Sequence, residues 1–270
     1  MHSHQQSQPL TPVTQKPVVQ TALRILKQLR PHISQAHIDS GSWGKFSIAC
    51  GQLDLSGESE NESSFLRPIT SEKMEELASQ FGFDDVRELH PDPRHPFHHS
   101  AAVADHLNGY LFSRHESKSL VKRSQWCCRE PDDWEGPKIR YFPNGEKWQV
   151  EYILAVRDGR LPHVNCTLVE TEALREDTLM FSEVWSVLML TLLFLRHPQN
   201  EKFEVVPVTV VTISGTTFRI VQGFADSKAG GVRIHKSVIV PLGADKGSMK
   251  QQMMLIVRWL LAEPVWPREH

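Results

Sequence analysis

His95, His98, His99 and His106, with Cys127 and Cys128 further along, are the side chains whose types best suit a metal ion. Zinc sites need imidazole and thiolate ligands at spacings that let them converge, such as Cys-x-x-Cys with a matching distal pair. Here the two cysteines are adjacent, and residues 90–99 (HPDPRHPFHH) carry three prolines that break regular structure. A solvated loop without a metal is the expectation, and no cofactor motif stands elsewhere. A phosphate loop needs a second glycine before its Lys-Ser/Thr pair, and residues 231–237 (GVRIHKS) have His235 there. Residues 243–248 (GADKGS) precede a helix whose N-terminus suits an anion, or they form a plain turn and cap. Neither a Gly-x-Ser-x-Gly elbow nor a Gly-x-Gly-x-x-Gly turn occurs.

Carboxylates raise a second chemistry, the Asp and Asp/Glu-x-Lys set with which restriction-endonuclease-like folds hold magnesium. The chain offers Pro131-Asp132, Asp226-Ser227-Lys228 and Glu170-Thr171-Glu172, the last without its lysine. With 32 acidic and 30 basic residues in 270, about three or four acid-x-base triplets arise by chance, so the match has little weight. A diverged metal-dependent nuclease stays as the alternative reading. Two arginines and a histidine form the remaining cluster. Arg233 and His235 alternate onto one face of a strand, opposite Val232 and Ile234, and Arg219 joins them if the neighbouring strand is in register. Such a set binds a carboxylate or phosphate, or lies on a solvated outer face.

The element that must position these groups is residues 178–195 (TLMFSEVWSVLMLTLLFL), whose only charge is Glu183. Acidic Glu172, Glu176 and Asp177 precede it, basic Arg196 and His197 follow, and Pro198 ends it, as a helix dipole favours. Its charge-free run from Val184 to Leu195 is short of the roughly 20 residues of a membrane span, so a helix buried in protein is expected. A membrane-associated accessory factor is the further alternative.

Around that helix the spacing predicts two three-stranded meanders. Residues 138–142, 147–156 and 161–169 are separated by Pro143-Asn144-Gly145-Glu146 and Arg157-Asp158-Gly159-Arg160. In the middle strand Trp148, Val150, Tyr152, Leu154 and Val156 share one face. The second set is 203–213, 218–225 and 232–240, with Pro207 placing its strand at an edge or bulge. Ser248 and Gln251 then cap a last helix, 249–262.

The first half is helical and loop-rich. Val18, Val19, Ala22, Leu23, Leu26 and Leu29 recur at helical spacing between Pro17 and Pro31. Residues 43–50 (WGKFSIAC) read as a strand, 54–64 as an acidic loop, 70–81 as a helix and 100–112 as another. Residues 1–16 have the composition of a disordered tail, leaving 17–270 as one domain.

A formal net charge of −2 supplies no field that recruits nucleic acid or an anionic membrane. Four cysteines without a secretory signal point to a reducing, cytoplasmic setting; the absence of acids before Asp39 is also a feature of mitochondrial targeting segments. Residues 206–226 (VPVTVVTISGTTFRIVQGFAD), together with Ser42-Trp43-Gly44, resemble a group of uncharacterised fungal proteins. That resemblance implies an intracellular α+β protein, in some cases encoded beside biosynthetic genes, and supplies no active-site residues. The fold expected is α+β, a mixed or mainly antiparallel sheet with the central apolar helix on one face and the C-terminal helix beside it. The function expected is a non-catalytic binding or accessory protein that presents a sheet surface or groove to an unidentified protein or small molecule.

Overall fold

The computed structural model describes residues 16–56, 65–81, 96–112, 119–129, 140–141, 148–243 and 245–266. The hydrophobic helix at its centre is α5 (Phe181–Arg196), buried along most of its length. It begins three residues later than its composition suggests. Thr178–Met180 form a short strand, β8, paired antiparallel with β1 (His37–Asp39), and the Phe181 amide donates to the Ala36 carbonyl. Packed against α5 is α1 (Pro17–Leu29), with Pro17 in its first turn where no amide donor is needed. Its buried stripe includes Ile25, whereas Leu23 is exposed, so the helical face is rotated slightly from the one expected.

The main sheet joins β2 (Ile48–Gln52), β4 (Trp126–Arg129), β5 (Arg140–Tyr141), β6 (Trp148–Val156), β7 (Val164–Glu170), β9 (Val208–Ser214), β10 (Thr217–Asp226), β11 (Gly231–Lys236) and β12 (Val240–Pro241). Its order is β2-β11-β10-β9-β7-β6-β4, with β5 on β6 and β12 on β10. The two meanders are present and fuse through β7 and β9, which run parallel because the chain crosses over between them through α5. A second parallel pair, β2 with β11, closes one edge. The α+β class with a mixed, mainly antiparallel sheet is therefore the fold of this protein.

Several local expectations are corrected. β9 lies at the middle of the sheet; Pro207 stands just before it, and its carbonyl accepts from the Val164 amide. β6 carries an irregularity between Val150 and Tyr152. The slip sends Trp148 and Val150 into one core and Leu154 and Val156 into the other, which breaks the single-face pattern. Residues 43–50 are a strand only from Ile48 onward. Before that, 3-10 turns at Ser40–Ser42 and Gly44–Phe46 bend the chain, and Ser47 adopts φ 55°.

On the opposite face of the sheet from α1 and α5 lie α2 (Ser71–Phe81), α3 (Pro96–Leu111) and α6 (Lys246–Leu260), with the single turn α4 (Leu120–Arg123) near β4. The C-terminal helix is thus across the sheet from α5 rather than beside it, because Met253, Ile256 and Val257 pack with Val211, Ile213 and Ile220. Asp245 caps it, accepting from the Gly247 and Ser248 amides, in place of the Ser248–Gln251 pair. α3 also starts earlier than expected and takes up His98 and His99. A last small ladder pairs β3 (Leu66–Arg67) with β13 (Glu263–Pro264). Residues 1–15, 57–64 and the turn at 143–146 lie outside the described residues, although β5 pairs antiparallel with β6 as a hairpin there requires. Among the described residues no helix is long and apolar enough to cross a membrane.

Candidate functional site

Alternation along β11 sends Val232 and Ile234 into the α5 core and turns Arg233 and His235 to the other face. Their neighbours across the parallel ladder are Ala49 and Gly51 of the edge strand β2. Gly51 is short of space: a Cβ there would lie 2.7 Å from Cδ2 of His235, whose ring covers it. Arg233 and His235 line a cleft of about 470 Å³ with Ala49, Gly51, Asp226 and Ala229.

Asp226 sets the geometry of this cleft. Its Oδ1 accepts from the Lys228 and Ala229 amides at 3.0 Å each, which fixes the carboxylate in the turn between β10 and β11. Its Oδ2 accepts from Nε of Arg233 at 2.6 Å. Burial pushes the Asp226 carboxyl up, but the hydrogen bonds from Ala229 and Arg233 outweigh it and hold its pKa below the usual carboxylate value. The Arg233 side chain is 55% exposed while that of Asp226 is 9% exposed. A guanidinium held through Nε keeps its two terminal nitrogens for a fork-like contact with an incoming carboxylate or phosphate. Burial, and then the Arg233 charge, push the His235 pKa below the ordinary histidine value. Cys50 also borders the cleft, but burial raises its thiol to about 11, so it stays protonated at neutral pH and is no activated nucleophile.

Arg219 does not belong to this cluster. The register sets Phe224 opposite Arg233 and Gln222 opposite His235, which leaves Arg219 on the face turned to α5. There it is fully buried against Glu183, donating from Nε to Oε1 at 2.9 Å and from Nη2 to Oε2 at 2.6 Å. Its Nη1 donates to the carbonyls of Arg175 and Thr178. Glu183 further accepts from Thr212 Oγ1 and the Met180 amide, so the pair is satisfied on all sides.

Among the described residues the carboxylates considered for magnesium do not assemble. Asp226 is committed to Arg233. Among the described residues, Glu170 is a carboxylate whose pKa another carboxylate, Glu183, helps to raise. Burial raises its pKa to about 7, against hydrogen bonds from Ser182 and the Thr171 and Glu172 amides, with Glu183 adding to the rise. No three His, Cys, Asp or Glu side chains among the described residues are placed to hold a metal ion. Asp132 and His95 lie outside those residues. His106 contacts Tyr110 at 2.9 Å, and the Cys127 thiol donates to the Ala155 carbonyl.

Comparison with protein-family models, with curated proteins and with solved structures finds no match. The fungal resemblance gains nothing from these comparisons, and the site rests on its own geometry. Sequence reasoning put Arg233 and His235 on one face, and they line one cleft, but it treated Asp226 only as a possible metal ligand. The signal for its real neighbour was an acid opening a tight turn seven residues before an arginine on the returning strand.

Proposed function

We propose that the protein is a binding or accessory protein without chemistry of its own, and that it takes an anionic group of a protein or small molecule in the Arg233–His235 cleft. The observation that carries this reading is the Asp226-seated guanidinium, more than half exposed at the mouth of a cleft beside an imidazole. A salt-linked arginine on a plain outer face would have no concavity and no fixed orientation. Here the turn fixes Asp226, Asp226 fixes Arg233, and the glycine at position 51 makes room for the ring of His235.

The test is a titration of isotope-labelled protein with sulfate and with succinate, followed by NMR. Saturable shifts at Ala49, Gly51 and Ala229, weakened at least tenfold in Arg233→Gln, are the expected result. Shifts that persist in Arg233→Gln overturn the assignment. The nuclease alternative is tested by incubating the protein with DNA and RNA in magnesium or manganese. Cleavage lost in Glu170→Gln or Asp226→Asn would replace the binding reading with a catalytic one.

A further inference from the structure

We propose that β2 is a docking edge: an extended peptide adds to it as a further strand, placing an acidic side chain in the Arg233–His235 cleft and the neighbouring aliphatic side chain in a second cleft beside Trp43 and Val238. This rests on the anion-binding reading above and adds the nature of the partner.

The backbone supplies the first half of the case. In the parallel ladder the Val232 amide donates to the Ser47 carbonyl and the Leu53 amide donates to the Lys236 carbonyl. That phase directs the backbone groups of Ala49 and Gly51 toward β11 and those of Cys50 and Gln52 away from it. Cys50 and Gln52 make no backbone hydrogen bond on that outer side among the described residues. Proteins commonly guard such an edge with lysine, proline or a bulge. The strand Ile48–Gln52 (IACGQ) has none of these, and Ala49, Gly51 and Gln52 are exposed.

Side-chain space supplies the second half. Cys50 and Gly51 border not one cleft but two, on opposite faces of the same edge. The second, about 320 Å³, is lined by Trp43, Gln52, Glu176, Lys236, Ser237 and Val238. Successive side chains of an added strand point to alternate faces, so neighbouring residues enter the two clefts in turn. In the first cleft Arg233 has its Nε engaged by Asp226 and its terminal nitrogens left for a carboxylate. In the second, Lys236 and Glu176 offset each other in charge, and the apolar surface is Trp43 with Val238, which is 50% exposed. A carboxylate side chain beside an aliphatic one fits this pair.

The probe is an acetylated, amidated heptapeptide of valine and threonine with one central aspartate, titrated against the whole chain by calorimetry. Two further versions carry N-methyl groups on alternate residues, one on the odd positions and one on the even. A strand offers only one of its edges to β2, so one methylated version should bind at least tenfold more weakly while the other matches the parent. Lysine in place of aspartate, or Arg233→Gln in the protein, should weaken the parent peptide by a similar factor. Gln52→Pro, which removes an outward amide without touching the β11 ladder, should do the same. Equal binding of both methylated versions overturns strand addition. Succinate bound with dependence on Arg233, and a peptide bound no tighter than succinate, overturns the peptide while leaving the anion site standing. No binding of either sinks both. A dimer in light scattering that Gln52→Pro dissociates would give the edge to a second copy and likewise overturn the proposal.

Discussion

Arg219 on β10 and Glu183 on α5 meet through two hydrogen bonds, of 2.9 and 2.6 Å, with both side chains fully buried. Through this contact the helix is pinned to the sheet at one register. Further bonds from Arg219 to the Arg175 and Thr178 carbonyls tie in the segment that precedes the helix. Removing one partner leaves an uncompensated buried charge, so Glu183→Met or Arg219→Met should each cost about 3–5 kcal/mol in urea unfolding. The double variant should cost less than the sum by more than about 1 kcal/mol. Additive losses would mean that the two side chains act through separate neighbours.

Two glycines should respond differently to the same added methyl group. Gly159 turns at φ +63° with nothing within 4 Å of a built Cβ, whereas a Cβ on Gly231 would lie 2.5 Å from the Ser47 carbonyl oxygen. Gly159→Ala therefore meets only backbone strain, about 1 kcal/mol, and Gly159→Asn should recover most of it. Gly231→Ala must push β2 off β11 and should cost about 2 kcal/mol or more. Melting temperatures that fall equally for Gly159→Ala and Gly231→Ala would contradict this.

Glu170 makes stability depend on pH. Burial raises its carboxyl to about 7, above its model-peptide value of 4.5, so the folded state holds the proton more tightly than the unfolded chain. The stabilisation is complete below about pH 4.5 and is lost as pH rises toward 7, a change on the order of 3 kcal/mol. Glu170→Gln imitates the protonated form, its amide oxygen still accepting from the Thr171 and Glu172 amides. Its stability advantage over the natural protein should therefore be small at pH 4.5, grow to pH 7 and then level off. His163, which burial depresses to about 4, works the opposite way in both proteins, stabilising above 6.5 and losing that stabilisation as pH falls through its folded value. The difference between the two unfolding curves cancels it. A difference that does not change with pH would remove Glu170 as the source.

How much of this was readable beforehand depends on the range of the interactions. The hairpin turn at Gly159, the buried helix and the β9–β10 turn at Gly215 are local, and their residues announce them. The β6 bulge, the parallel β7–β9 and β2–β11 pairs and the placing of α6 across the sheet depend on partners far along the chain, and alternation alone does not encode them. The site divides the same way. Arg233 and His235 fall on one face by counting, but the displacement of Arg219 required the β10–β11 register, and the cleft required β2 from the other end of the sequence.

Asp226 should control anion affinity without contacting the anion. In Asp226→Asn the amide oxygen can still accept from the Lys228 and Ala229 amides, so the turn between β10 and β11 should persist. The amide nitrogen would then face Nε of Arg233, donor against donor, where a carboxylate oxygen now lies at 2.6 Å. With its seat lost, Arg233 is free to swing into solvent, and the ordered presentation of its terminal nitrogens goes with it. Succinate should bind roughly tenfold more weakly, equivalent to about 1.4 kcal/mol. The melting temperature should change little by comparison with Glu183→Met. Arg233→Lys should be similarly weak, because an ammonium keeps the charge but not the planar fork. Full affinity in Asp226→Asn would show that Arg233 finds its place unaided.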